Sequence, residues 1–207
     1  MATTTTTAVG SDGISFDLVA PAPPARPRTL LFATALVAAA CAMAIFAVVA
    51  IYLEARHGVR AGGQPWLPAG AIPLIGPNMA LFTLLLSLLS VRWAHDAIAH
   101  DDRQNTWVAI GITLLLGVGF INADSFIWGG LHLGVHKSEA ALLILTAGGM
   151  HLAMVIGALV FLLLTAFRTL GGQFSSSNRE GVVAAALFWY VTVAVYCVLW
   201  YAIYVTK

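Results

Sequence analysis

Charge is scarce in this sequence. Asp, Glu, Lys and Arg make up 9% of its 207 residues, against about 25% in an ordinary water-soluble domain. So little polar surface cannot clothe a globule in water, and the 60% of hydrophobic residues need another solvent. The net charge of +1 leaves no basic footprint for nucleic acid. Cysteine is nearly missing: Cys41 and Cys197 both fall inside apolar stretches and read as small packing residues, which argues against a disulfide framework. A Gly-rich phosphate loop, a Cys-x-x-Cys pair and a Ser–His–Asp nucleophile arrangement are all missing. So is any internal repeat. The first residues lack a basic start followed at once by an apolar core, so a standard secretory signal is not expected.

What the chain does have is long apolar runs, at residues 30–53, 75–95, 107–131, 140–167 and 182–205. Each meets or exceeds the ~20 residues that a helix needs to cross a bilayer. The expected fold is therefore all-α, a polytopic membrane protein with five transmembrane helices over 29–207. Polar loops bearing Gly or Pro separate the runs. The first, Glu54 to Ile72, holds Gly62, Gly63, Pro65 and Pro68 and is not expected to be one continuous helix. Residues 1–28 open on a Thr run and end in a Pro- and Ala-rich stretch, and are expected to be a disordered or extended cytoplasmic tail. Phosphorylation or docking on the Thr run is the alternative use of that tail.

Basic residues set the orientation. With the N-terminus inside, Arg26, Arg28, Arg92, Arg103, Arg168 and Arg179 fall on the cytoplasmic side, and Arg56, Arg60, Lys137 and Lys207 on the other. The bias favours N-terminus in, C-terminus out.

Ionisable groups at membrane depth are costly and mark function by default. Asp124 is the carboxylate that falls well inside a run, with Asn122 two residues before it. It reads as a proton-relay group, a buried hydrogen-bond acceptor or a neutral structural acid. His151 lies mid-run behind Gly148 and Gly149, whose missing side chains allow close approach of a helix or a lipid. It reads as a hydrogen-bonded structural residue. His132 and His136 stand four apart and would share a helix face suited to a metal. Gly134 and the following Lys137-Ser138-Glu139 point instead to a helix end, with Ser138 as N-cap of the fourth helix and Glu139 at its positive end. His95, Asp96, His100, Asp101, Asp102 and Arg103 read as a solvated loop of mixed charge, or as a proton-collecting surface.

The second run ends Arg92-Trp93-Ala94-His95-Asp96-Ala97-Ile98, an indole and charged groups where a helix leaves lipid. This segment resembles the Trp-Ala-His-His-Ala-Leu stretch of subunit III of the haem-copper cytochrome c oxidases, with Asp96 in place of the second His. Other stretches are similar. Met43, Tyr52 and Arg56 match the spacing of that family's first matching helix, Pro77 a Pro near the next helix start, and Gly149-Met150-His151 the second half of a His-Gly-Leu-His. Phe188-Trp189-Tyr190 and the terminal Ile203-Tyr204 match the last helix. The chain departs from the pattern as well: Cys41 stands where the family has a buried Glu, Asp124 at a Gln, Ile127 at a Glu, Gly148 at a His and Val193 at an Asp.

The resemblance spans about residues 30–205. It implies a non-catalytic accessory subunit of a terminal oxidase in a bacterial cytoplasmic membrane, supporting oxygen access and proton uptake. Haem and copper are then expected in partner subunits and not in this chain. The implied partners are catalytic subunit I, subunit II and phospholipids in a V-shaped cleft between the first two and last three helices. Gly148, Gly149 and His151 would line that cleft, and Arg92, Trp93 and His95 would meet headgroups. The rivals are a membrane metal- or haem-binding enzyme or electron carrier using His95, His132, His136 and His151, and a small transporter using Asp124 and Asn122.

Overall fold

The computed structural model describes residues 6–9, 15–18, 28–67, 74–130 and 138–206. Two four-residue strands, β1 (Thr6–Val9) and β2 (Ser15–Leu18), pair antiparallel within the segment expected to be a disordered or extended tail. Five helices follow: α1 (Thr29–Ala61), α2 (Ile75–Ala99), α3 (Arg103–Gly130), α4 (Glu139–Leu170) and α5 (Glu180–Leu199), the last continuing into a π-helical turn over Trp200–Val205. All five are long and apolar enough to cross a membrane. In lipid a helix satisfies its backbone polar groups within itself, which is why unbroken Ala-, Leu- and Val-rich runs take this form.

The helix ends follow local chemistry. Ser138 caps α4 as expected, its hydroxyl accepting from the Ala141 amide at 3.2 Å, with Glu139 in the first turn. The segment from Glu54 is not one continuous helix, as expected, but its loop starts later than expected: α1 runs on to Ala61 because nothing breaks it before Gly62 and Gly63, and Gly63 takes a φ of +73°. Glu54, Arg56, His57 and Arg60 thus ride on helix. At 1.5 Å per residue α1 is about 50 Å long, against a hydrocarbon core of about 30 Å, so its polar end stands clear of lipid. The α2–α3 turn closes on Asp101 at φ +58°, a left-handed position that Asp tolerates.

The five-helix all-α bundle is as expected, but its grouping is not a split of the first two helices from the last three. The helix α1 packs on α4 and α5, while α2 packs on α3 and α5. Helix α5 is central, more buried than any other span, and a single apolar cluster draws on all five helices. Lipid is as apolar as leucine, so close packing and hydrogen bonds, rather than water exclusion, hold such helices together. Trp189 of α5 is fully buried and its indole N–H donates to the Ser87 hydroxyl of α2 at 2.9 Å. The Ser90 and Thr113 hydroxyls meet at 2.8 Å between α2 and α3. Phe32, Phe82, Leu115, Phe126 and Phe167 point outward, each more than half exposed, the surface that a bilayer would cover.

Three cross-links fix which helix ends lie together. At one end the Glu180 carboxylate of α5 accepts from the Leu31 amide of α1 at 3.0 Å, where α1 has no side-chain cap of its own. Asp101 accepts there from the Ser176 amide and hydroxyl, at 2.6 and 2.7 Å, tying the α2–α3 turn to the α4–α5 connector. At the opposite end Arg56 of α1 donates to the Thr206 hydroxyl.

Candidate functional site

The predicted site residues fall into two separate places. Arg92, Trp93 and His95 sit near the C-terminal end of α2. Arg92 donates to the Asp96 carboxylate at 3.0 Å, one turn on, and both side chains are more than half exposed. Such a pair is worth little by itself in water. Trp93 is 42% exposed on the outer surface and His95, two residues on, is half-buried. The last turn of α4 adds a cation: Arg168 lies over the Phe174 ring at 5.0 Å and donates to Gln173 at 2.8 Å. This end of the bundle is basic, partly aromatic and amphipathic.

The second place is interior. Asp124, Gly148 and His151, distant in sequence, are brought to one small chamber between α3, α4 and α5. The helical repeat explains each contribution. Asp124 and Trp128 stand one turn apart on α3, and Ile144, Gly148 and His151 follow one face of α4. Tyr196, Leu199, Ile203 and Tyr204 complete the wall from α5 and its π-helical turn. Gly148 is required by proximity: a Cβ there would stand 2.6 Å from the Trp128 ring. Gly149 is further from that ring, at 3.9 Å.

Asp124 is 3% exposed and is the one buried carboxylate among the described residues, where it has no hydrogen-bond partner. The His151 ring nitrogen Nε2 lies 3.0 Å from the Thr192 carbonyl. A carbonyl only accepts, so Nε2 carries the proton and Nδ1 the lone pair. Phe120 and Tyr196 enclose the imidazole, with ring centroids 5.7 and 5.2 Å away. The Tyr196 hydroxyl is buried and unpartnered among the described residues. The sequence points to Asp124 and His151 but not to Trp128, Tyr196 and Tyr204, whose signal is a spacing of four residues from Asp124 to Trp128 and of eight from Tyr196 to Tyr204 on otherwise apolar helices.

His132 and His136 lie outside the described residues. Among the described residues no three His, Cys, Asp or Glu side chains gather as a metal-holding group. Cys41 and Cys197 are both free thiols.

A sequence model of the family described as cytochrome c oxidase subunit III matches residues 29–207, all five helices. Among curated proteins the chain is similar to cytochrome c oxidase subunit 3 of the sea urchin Strongylocentrotus purpuratus, 30% identical over 145 residues. It is also similar to the subunit 3 of cattle, Bos taurus, 32% identical over 149 residues. Each match covers 69% of this chain and 56% of the relative, so the chain spans about half the length of the curated relatives it matches. A bundle of five membrane-spanning helices, the Trp93 segment at the end of α2 and a family match that runs the length of that bundle lead to one assignment: this multi-pass membrane protein belongs to the cytochrome c oxidase subunit III family.

Proposed function

We propose that this chain is a non-catalytic accessory subunit of a haem-copper terminal oxidase in aerobic respiration. It stabilises the catalytic subunit I, lies with subunit II in the same complex, and supports oxygen access and proton uptake. The observation that carries the reading is the family match over every helix. The chemistry of the bundle agrees with it. His151, the histidine at mid-membrane, has Nε2 tied to a backbone carbonyl, which counts against the haem-binding rival. Haem and copper belong, on this reading, to the partner subunits.

The membrane is a bacterial cytoplasmic membrane, with the N-terminus inside and the C-terminus outside. Arg92, Trp93 and His95 then lie at the cytoplasmic headgroup level, where a guanidinium binds lipid phosphate. Gly148, Gly149 and His151 face Trp128 and the chamber, so the lipid role rests on the Arg92 end. Asp124 is the candidate for proton handling.

Purifying the tagged protein from its own membrane tests the assignment. The expected result is co-purification with a partner that carries haem and copper, while the chain separated from that partner shows neither haem absorption nor stoichiometric metal. A haem band or bound metal in the isolated chain overturns it. For Asp124, the Asp124→Asn complex is expected to lose turnover faster during sustained oxygen reduction than the parent. Unchanged activity and decay remove the proton role.

A further inference from the structure

We propose that the chamber between α3, α4 and α5 is a built water site, in which a single water bridges the Asp124 carboxyl and the Tyr196 hydroxyl. Three observations converge on it. First, Asp124 and Tyr196 are each 3% exposed, the Tyr196 hydroxyl is buried with no hydrogen-bond partner, and no hydrogen bond to the Asp124 carboxyl is made among the described residues. Leaving a buried polar group unmade costs about 1–3 kcal/mol, and more for a charged one. Two such groups in one bundle interior, where lipid supplies no donors or acceptors, need a shared partner. Second, both residues line the same chamber, whose free space is close to the least that holds one water molecule. Third, the rest of the wall suits a water with two to four polar neighbours. His151 has one nitrogen committed to the Thr192 carbonyl and keeps a lone pair on the other, and Tyr204 brings a further hydroxyl.

The remaining wall is apolar: Trp128 against Gly148, with Ile144, Leu199 and Ile203. Arg56 of α1 donates to the Thr206 hydroxyl at the end of the bundle beyond Tyr204. The proposal rests on the chamber alone and is independent of any part that Asp124 plays in turnover.

The test is a structure of the detergent-purified protein, with whatever partners accompany it, at a resolution that shows ordered water. A density peak within hydrogen-bond distance of both the Asp124 carboxyl and the Tyr196 hydroxyl is expected. Asp124→Leu, which fills the space with an apolar side chain, is expected to lose the peak. Should that variant fail to fold, the parent map still decides. An empty chamber overturns the proposal. So does a Tyr196 hydroxyl donating directly to Asp124, or density continuous with a lipid chain.

Discussion

Gly117 and Gly119 stand two residues apart on α3 and meet opposite surroundings. A Cβ on Gly117 would collide with Leu159 and come within 2.8 Å of the Trp189 ring, while one on Gly119 would meet only Thr83, at 4.0 Å. Gly117 is thus the close-approach point of α3 against α4 and α5, and Gly119 is a helix glycine facing outward. Gly117→Ala is expected to destabilise by about 1–3 kcal/mol through overpacking. Gly119→Ala is expected to be neutral or to stabilise by up to about 1 kcal/mol, since alanine is the better helix former. Thermal melting of the two variants in detergent checks this, and equal effects would remove the distinction. Either glycine looks the same in the sequence, because what distinguishes them is the residue opposite. His151 shows the converse. Its place in an apolar run pointed to a hydrogen-bonded structural residue, and the Thr192 carbonyl is that partner.

Helices and their connectors carry the next set of effects. Glu180 occupies the first turn of α5 and reaches across to the first turn of α1, so one carboxylate serves two positive helix ends. Glu180→Ala is expected to cost about 1 kcal/mol, the usual worth of a cap, with faster amide exchange at Leu31. Glu180→Gln, which keeps an acceptor, is expected to retain most of the protection. The connectors are tied by Asp101, whose carboxyl is held below the ordinary carboxylate range, first by the Ser176 amide and then by its hydroxyl. A lowered folded value means that the tie is fully present above the ordinary carboxylate pKa. It is lost as pH falls through the lowered one. Ser176 amide protection, corrected for intrinsic exchange, is therefore expected to hold at neutral pH and vanish in strong acid. Asp101→Asn is expected to weaken it at every pH and flatten that dependence. The helices themselves were legible, because lipid forces each long apolar run into one backbone form. The Ser138 cap was legible for the same local reason. The Glu180 cap and the chamber were not, since each joins groups from helices far apart in sequence, and only the packing brings those faces together. The end of α1 is not legible, because charged residues mark where a helix leaves lipid, not where it stops.

Across the whole molecule, the cross-links turn a weak charge bias into an argument about topology. Glu180 with Leu31, and Asp101 with Ser176, place the start of α1, the α2–α3 turn and the α4–α5 connector at one end of the bundle. Arg28, Arg92, Arg103, Arg168 and Arg179 therefore gather there, while Arg56 and Arg60 lie at the opposite end with Thr206. Short loops rich in arginine stay in the cytoplasm, so the Ser176 end should face inward and Gln64, in the α1–α2 loop, outward. Both residues are exposed, and the native thiols Cys41 and Cys197 lie within spans and only partly accessible. A membrane-impermeant thiol reagent applied to intact cells is expected to label Gln64→Cys strongly and Ser176→Cys no more than the parent chain. After the membrane is opened, both should label. Labelling of Ser176→Cys from outside would invert the bundle. It would move Arg92, Trp93 and His95 to the outer leaflet and with them the headgroup role argued for that end, while leaving the helix packing and the chamber unchanged.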